Sequence, residues 1–351
     1  MSIWNQYPET YRAVEIRTLL DNAGAGECSA VVGLSGAGKS NLMGFLVHRA
    51  AAAGRPKFIL IDCNRLSAAD PAAFVGLLAE ELGGRPSATL RELETEIDRA
   101  LKNNPGGVCL VLDRFDALSA AAGAPVAGQL RALRDRFKYE LTLITAARRP
   151  PDAHNELAEL FYAHTLWLGP LAPADAWWSA GQYAARRGLN WEPAVFDRVL
   201  EFSWGYPALL RAVCEAHAAG CALEQTALID HPAVRLRAAE FWADAPSADD
   251  IRRSGLQGQP LLAAHAPGSL SAAVLTAAEQ RLLDFLRARP GQVCTKNELI
   301  SAVWPDEVVA EGLRDDSLAQ LVHRLREKIE PDPARPRLLL TVAGRGYRFG
   351  G

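Results

Sequence analysis

The chain lacks the excess of positive charge that marks many nucleic-acid-binding proteins. The chain has 38 lysines and arginines and 41 aspartates and glutamates, which gives a formal net charge of −3 at pH 7. Any contact with DNA must therefore come from a local basic patch. A long apolar run is also missing, as is an amino-terminal charged segment followed by an apolar one. These absences predict a cytoplasmic protein with no membrane partner.

The six cysteines are scattered and include no C-x-x-C pair, as expected of small buried residues in a reducing compartment. Cys214, His217 and Cys221 have a spacing that places three possible metal ligands on one helical face. A structural zinc site needs four ligands, and the surrounding residues form an ordinary apolar helix stripe. We therefore expect these side chains to pack in a core rather than to bind zinc.

Residues 1–168 alternate between short apolar runs, typical of strands, and amphipathic stretches, typical of helices. This alternation predicts an α/β domain with a parallel sheet and helices on both faces. Runs that are apolar at nearly every position favour strands that are covered on both sides. The predicted strands are Cys28–Val32, Lys57–Asp62, Val108–Asp113, Leu141–Ala146 and Thr165–Leu168.

The rest of the chain is predicted to be mainly helical. Residues 169–245 suggest a small helical domain, and residues 246–275, rich in Ala, Ser, Gly and Pro, suggest a linker with short strands. Residues 276–351 predict three helices, the first with a capping box of Thr276 and Glu279, and then a hairpin with a Gly-rich turn. The predicted helices of the chain are Pro71–Leu82, Leu90–Asn103, Val126–Tyr139, Pro173–Arg187, Glu192–Phe202, Pro207–Ala219, Pro232–Asp244, Thr276–Arg287, Lys296–Val303 and Asp315–Ile329.

The stretch VVGLSGAGKS, residues 31–40, fits the phosphate-binding loop G-x-x-x-x-G-K-[ST] and lies between a predicted strand and a predicted helix. Its glycines let backbone N–H groups cradle phosphate oxygens. Lys39 can reach the β- and γ-phosphates, and Ser40 can bind Mg2+. The motif predicts ATP or ADP with Mg2+ as ligands. The residues predicted to bind nucleotide are Gly33, Ser35, Gly36, Ala37, Gly38, Lys39, Ser40 and Asn41.

Two further strand ends carry candidate catalytic residues. Val108–Asp113 ends in a carboxylate that can face Mg2+ at the sheet edge, and Asp116, three residues on, can orient an attacking water. The strand beginning at Leu141 ends near two arginines, and Arg148 or Arg149 can sense the γ-phosphate because guanidinium pairs well with phosphate oxygens. The alternative for the arginines is a basic surface turn.

Together with Gly205-Tyr-Pro207, these motifs resemble the STAND class of P-loop ATPases over about residues 10–245. The resemblance implies a helical lid over the nucleotide, with Pro207 packed against it. It also implies a switch in which ADP holds a closed form and ATP favours an open, often homo-oligomeric form. Arg114 follows Asp113 where a fast AAA-type hydrolase usually has Glu, so slow turnover is expected. The long C-terminal array of sensor repeats is missing.

Residues 275–350 closely resemble the winged helix-turn-helix of OmpR/PhoB-type response regulators. The resemblance rests on Leu325–Ile329, Glu330–Pro333 and Gly344–Phe349 and extends over about residues 270–351. It implies that the third helix enters the major groove of double-stranded DNA and that the hairpin forms a wing. From His323 to Arg348 there are seven basic and three acidic residues, a local positive excess that suits phosphates.

Amide and basic side chains on this helix and wing are the candidate DNA contacts, because Gln suits adenine and Arg suits guanine. Leu318, Leu321, Val322 and Leu325 are expected to face the core. Arg345, in the wing, is a candidate for the minor groove. The predicted DNA-binding residues are Ser317, Gln320, His323, Arg324, Lys328, Arg345 and Tyr347.

Asp315 and Asp316 at the start of the third helix leave a second interpretation open, because acid there repels phosphate. One hypothesis is a nucleotide-switched regulator of DNA binding or transcription. Another is an ATPase scaffold of a multi-protein defence or transposition complex, whose winged helix contacts a protein partner or non-specific DNA. A third is an initiator- or loader-type ATPase, in which an arginine reaches a neighbouring subunit's γ-phosphate.

Overall fold

The computed structural model describes residues 3–53, 56–66, 70–116, 123–150, 157–267, 277–304, 311–330, 335–342 and 345–350. The chain divides into two compact units. The first comprises Met1–Leu228 and Ala243–Gln257, and the second comprises Ile229–Trp242 and Gly258–Gly351.

A parallel sheet of five strands forms the centre of the first unit, with strand order β2-β3-β4-β1-β5. Every residue of β1, β3 and β4 is buried, because helices cover both faces of the sheet. This arrangement confirms the predicted α/β fold. The strands are β1 Ser29–Val32, β2 Lys57–Asp62, β3 Val108–Asp113, β4 Leu141–Ala147 and β5 Thr165–Trp167.

Helices connect the strands of this sheet. A buried apolar cluster that includes Phe74, Leu78, Leu93, Ile97 and Leu130 packs them against it. The helix α1 was not predicted from sequence, and it begins after Arg12 in the left-handed backbone region rather than after a capping side chain. The helices are α1 Ala13–Gly24, α2 Lys39–Ala53, α3 Pro71–Glu81, α4 Leu90–Asn103, α5 Gly123–Phe137 and α6 Ala158–Phe161.

Three longer helices follow β5 and pack on one another, each with a proline in its first turn. Short helices form where a linker with short strands was expected, and Ser247 and Asp250 form a capping box at the start of α12. Cys214 is buried in α9, and the His217 ring packs at a tilt against Trp191, with 5.2 Å between ring centroids. The three longer helices are α7 Pro173–Arg186, α8 Pro193–Ser203 and α9 Pro207–Ala218. They are followed by α10 Gln225–Asp230, α11 Pro232–Ala243, α12 Ala248–Arg253 and α13 Pro260–Ala263.

The second unit contains a small domain in which helices pack on an antiparallel sheet with strand order β6-β8-β7. Its core includes Leu318, Leu321, Val322 and Leu325, which confirms the face predicted to point inward. The elements are α14 Ala277–Arg287, β6 Val293–Cys294, α15 Lys296–Val303, α16 Glu311–Ile329, β7 Leu339–Val342 and β8 Gly346–Phe349. The cap predicted at Thr276 lies outside the described residues.

The short strand β6 was not predicted from the sequence. Its position explains why residue 346, at the start of β8, is a glycine. Gly346 has a φ of 135°, and a Cβ on it would lie 2.0 Å from the carbonyl oxygen of Cys294 in β6. Only glycine permits this approach.

The buried Glu330 carboxylate accepts hydrogen bonds from the backbone N–H groups of Arg337, Leu338 and Leu339, which fixes the start of β7. The described part of the domain is therefore a winged helix.

Candidate functional site

The loop between β1 and α2 has the geometry of a phosphate-binding loop. Gly36 and Gly38 both have a φ of 87°, in the region that glycine adopts most easily. Lys39 folds back over the loop, and its Nζ donates to the carbonyl oxygen of Gly33 at 2.5 Å. Burial lowers the pKa of Lys39, and the charges of Asp116 and Asp244 oppose that effect. The ammonium group thus lies among acidic side chains at the carboxyl edge of the sheet.

Asp113 lies at the end of β3. Burial raises the pKa of Asp113, and the Ser40 hydroxyl and the nearby Arg114 oppose that effect. The two residues predicted as Mg2+ ligands are therefore adjacent.

Arg114 covers this pair of oxygen ligands. Its backbone is left-handed, with a φ of 56°, and its N–H donates to Asp113 Oδ1 at 3.0 Å. Its side-chain Nε lies 3.4 Å from Ser40 Oγ and 3.9 Å from Asp113 Oδ2. A guanidinium group thus stands beside the atoms that are predicted to bind the metal.

Arg148 lies just beyond β4 and is held by two carboxylates. Its backbone N–H donates to Asp116 Oδ1 at 2.6 Å, and its Nε lies 3.4 Å from Asp116 Oδ2. Its Nη1 donates to Asp244 Oδ1 at 2.8 Å. The structure therefore brings together Asp116 and Arg148, and it adds a carboxylate that the sequence did not identify.

Asp244 follows α11 directly and reaches the phosphate-binding loop. Its Oδ2 accepts a hydrogen bond from the backbone N–H of Ser35 at 3.0 Å, and its side chain is 7% exposed. Arg149 donates to its carbonyl oxygen at 2.8 Å. In the sequence Asp244 merely ends a predicted helix, and no motif indicates its contact with a loop some two hundred residues away.

The Gly-x-Pro segment before α9 contacts the backbone of the same loop. Tyr206 is almost fully buried, and its hydroxyl donates to the carbonyl oxygen of Ser35 at 2.5 Å. The N–H of Ala208 donates to the carbonyl oxygen of Gly36 at 3.1 Å. Pro207 Cγ lies 3.5 Å from the position of a Cβ on Gly38. The helical segment therefore covers the loop as a lid, with Pro207 beside it.

Arg12 is a second residue that sequence reasoning missed. It is 3% exposed, and its backbone N–H donates to Asp175 Oδ2 at 2.8 Å. Its guanidinium donates to the carbonyl oxygens of Gly169 at 2.9 Å and Ala37 at 3.3 Å. One buried side chain therefore links the segment before α1, the phosphate-binding loop and the start of the lid.

A cavity of about 350 Å³ opens beside these groups. Its lining joins one end of the phosphate-binding loop to the segment around Asp244. The lining residues are Leu34, Asp116, Arg148, Arg149, Ala243, Asp244, Pro246 and Asp250.

The residues present fit a nucleotide and a magnesium ion. The Ser35 N–H already binds an anionic oxygen, that of Asp244, so this limb of the loop has the donor geometry that a phosphate needs. Ser40 and Asp113 supply neighbouring oxygen atoms, the ligand type that Mg2+ prefers. Asn41 is exposed in the first turn of α2, next to the loop.

In the winged helix, three of the predicted DNA contacts on α16 are exposed: Gln320, His323 and Arg324. Arg345, beside the wing strand β8, is exposed as well. The side chain of Ser317, and those of Asp315 and Asp316, lie outside the part of the structure that is described.

Two predicted DNA contacts instead have partners within the domain. The Nζ of Lys328 donates to the buried carboxylate of Glu279 at 2.5 Å. Tyr347 is 9% exposed and belongs to the domain core, because alternation along β8 points it inward. A second basic residue, Arg326, donates to the carbonyl oxygen of Leu339 and to the hydroxyl of Thr341. The basic residues of this segment therefore serve partly to hold the wing.

Two segments of the chain match known families. Residues 23–148 match a family described as AAA domain, and residues 271–349 match one described as transcriptional regulatory protein, C terminal. The chain therefore combines an AAA-type P-loop ATPase-like domain with a C-terminal domain of the OmpR/PhoB type. The assignment to the STAND class within the P-loop ATPases stays a prediction.

Curated relatives match a segment of about a fifth of the chain. The segment is 43% identical over 70 residues to the sensory transduction protein RegX3 of Mycobacterium tuberculosis, covering 20% of this chain and 30% of that protein. It is 41% identical over 75 residues to the KDP operon transcriptional regulatory protein KdpE of Escherichia coli, covering 21% of this chain and 32% of that protein. The chain thus spans about a third of the length of the curated relatives it matches.

Among solved structures, the chain is similar to the Walker-type ATPase PABY2304 of Pyrococcus abyssi. The TM-score is 0.51 at 14% identity, with 96% of this chain and 92% of that chain covered. At this identity the similarity shows the fold, a P-loop ATPase fold. No helix in the described part of the chain is both long and apolar enough to cross a membrane.

Proposed function

We propose that the protein is an ATP-responsive regulator of transcription. The observation that carries this proposal is the convergence of separate elements on one loop. Lys39 and Ser40 of the loop, Asp113 from β3 and Tyr206 from the lid all meet there. The same chain carries an OmpR/PhoB-type winged helix.

ATP or ADP is proposed to bind along the loop from Gly33 to Asn41. The N–H groups at the start of α2 hold the inner phosphates, and Lys39 reaches the outer ones. Pro207 of the lid packs against the bound nucleotide. Ser40 and Asp113 would hold Mg2+, which would neutralise the phosphate charge.

Hydrolysis is proposed to be slow. Asp116 can orient the attacking water, but its carboxylate is hydrogen-bonded to the backbone N–H of Arg148. Arg114 stands where a fast hydrolase has a carboxylate, and a guanidinium cannot accept a proton from water. Arg148 is the proposed γ-phosphate sensor. A long-lived ATP state suits a switch better than a motor.

The nucleotide is proposed to act as a switch of the STAND type, with self-assembly in the ATP state. Assembly raises DNA affinity because it links several winged helices. Once one of them is bound, the others bind neighbouring sites at a high effective concentration, without any new contact. Gln320, His323, Arg324, Ser317 and Arg345 are the proposed contacts to double-stranded DNA. We place this activity in the cytoplasm.

The test of the nucleotide site is the variant Lys39→Ala, measured by isothermal titration calorimetry with ADP and a non-hydrolysable ATP analogue. We expect no detectable binding, because the loop then lacks the charge that faces the outer phosphates. Lys102→Ala is the matched control, since Lys102 pairs with Asp98 on the exposed surface of α4. Unchanged affinity in Lys39→Ala would show that this loop does not bind the nucleotide.

A second candidate function is an ATPase scaffold whose winged helix contacts a protein partner. The observation that favours it is the internal engagement of Lys328, Arg326 and Tyr347, which leaves fewer side chains for DNA. Binding of random duplex DNA separates the two candidates. A scaffold of this kind shows no salt-dependent DNA affinity in any nucleotide state.

A further inference from the structure

A carboxylate occupies part of the phosphate-binding loop. Asp244 Oδ2 accepts from the Ser35 N–H at 3.0 Å, while Oδ1 accepts from Arg148 Nη1 at 2.8 Å. The side chain is 7% exposed, so water competes little for these bonds. Both donors belong to the set that the proposed function assigns to a nucleotide.

The location corresponds to the outermost phosphate. The inner phosphates bind at the start of α2, where Lys39 and Ser40 begin the helix. Ser35 lies on the opposite limb of the loop, and Arg148 is the proposed sensor of the γ-phosphate. An anion held between Ser35 and Arg148 therefore lies at the end of the site where ATP has a phosphate and ADP has none.

We propose that Asp244 sets the preference of this site between ATP and ADP, by competing with the γ-phosphate for the Ser35 N–H and for Arg148. This inference rests on the proposed nucleotide-binding function. ADP leaves the Asp244 bonds in place, whereas ATP must displace the carboxylate. Like charges cannot share these donors, because repulsion between them is strong in a buried site.

The backbone around Asp244 suits a segment that moves when its bonds are broken. Ala245 has a φ of 45°, which non-glycine residues seldom adopt. Arg149 holds this turn through the carbonyl oxygen of Asp244 at 2.8 Å. The segment follows α11 directly in the chain.

The test compares affinities for ADP and for a non-hydrolysable ATP analogue in the full chain, with Mg2+, using fluorescent derivatives of both nucleotides. Asp244→Asn removes the charge but keeps the size of the side chain. We expect the variant to bind the ATP analogue about tenfold more tightly, equivalent to about 1.4 kcal/mol. We expect its ADP affinity to change far less. Asp249→Asn is the control, since Asp249 pairs with Arg252 and Arg253 on the surface.

The test depends on the ratio of the affinity for the ATP analogue to the affinity for ADP. A fraction of unfolded protein lowers both signals equally and cancels in that ratio, and Asp244→Ala gives a second, independent variant. An unchanged ratio in both variants, or an equal gain for both nucleotides, overturns the role of Asp244 while leaving the nucleotide site intact. Failure of wild type and variants alike to bind either nucleotide instead overturns the proposed function, and this inference with it.

Discussion

The hydroxyl of Tyr206 donates a hydrogen bond to the carbonyl oxygen of Ser35 at 2.5 Å, joining the lid to the phosphate-binding loop. Tyr206 is almost fully buried, so its hydroxyl is largely removed from bulk water. An adjacent bond from the Ala208 N–H to the Gly36 carbonyl oxygen reinforces the contact. The lid thus binds the loop through the backbone carbonyl oxygens of Ser35 and Gly36.

The variant Tyr206→Phe tests this contact. Because the Ser35 carbonyl oxygen loses its buried donor, we expect the free energy of unfolding to fall by about 1–3 kcal/mol. Denaturant unfolding measures this value. Tyr183→Phe is a matched control, because the Tyr183 hydroxyl is buried without a hydrogen-bond partner among the described residues. A similar loss in both variants would contradict the stabilising role of the Tyr206 bond.

Arg114→Ala tests whether the guanidinium opposes metal binding. A single positive charge about 4 Å from a divalent cation in a solvated site costs about 2 kcal/mol, or about a thirtyfold change in affinity. We therefore expect the variant to reach half-saturation with nucleotide at a lower Mg2+ concentration. Titration of Mg2+ at fixed fluorescent nucleotide measures the shift. Arg99→Ala, which removes a surface partner of Glu96, is the control.

The opposite result for Arg114 is equally informative. A higher Mg2+ requirement in Arg114→Ala would mean that the side chain helps to hold the phosphates. The proposed slow hydrolysis would be unaffected, because it rests on the lack of a proton acceptor at this position.

The double variant Arg324→Ala with Arg345→Ala tests the DNA surface. Both side chains are exposed, one on α16 and one at the wing. We expect lower affinity for duplex DNA and a shallower dependence on salt, by about one to two units of slope, because fewer counterions are released. Arg281→Ala with Arg287→Ala, on α14 of the same domain, removes the same charge elsewhere. Equal losses in the two double variants would rule out a specific role for Arg324 and Arg345.

His265 makes stability depend on pH. Burial lowers its pKa from the ordinary value of 6.5, although its Nε2 contacts the carbonyl oxygen of Ile229. Below pH 6.5 the unfolded chain binds the proton more readily, so we expect the free energy of unfolding to fall as pH drops from 6.5 towards the lowered pKa. Denaturant unfolding at several pH values should show a smaller fall in His265→Gln than in wild type. A His265→Gln profile that matches the wild type would show that other groups set the acid sensitivity.

Much of the nucleotide domain could be predicted because its signals are local. The strands Lys57–Asp62 and Val108–Asp113 have the predicted bounds, since an apolar run of that length between turn residues has few other interpretations. The helix α1 and the strand β6 were missed. The first has no capping side chain at Arg12, and the second is only two residues long.

The parts of the site that sequence could not supply depend on distant contacts. Asp244 and Arg12 carry no motif, and their importance comes from the loop they reach through the fold. The same is true of Lys328, whose ion pair with Glu279 joins α16 to α14.

The central claim is that nucleotide state controls DNA binding. Fluorescence anisotropy with random duplex DNA across a range of salt concentrations tests it, with no nucleotide, with ADP, and with a non-hydrolysable ATP analogue. We predict tighter binding with the ATP analogue than with ADP, and a steep loss of affinity as salt rises. Equal affinity in all three states, or no binding in any of them, would contradict the claim.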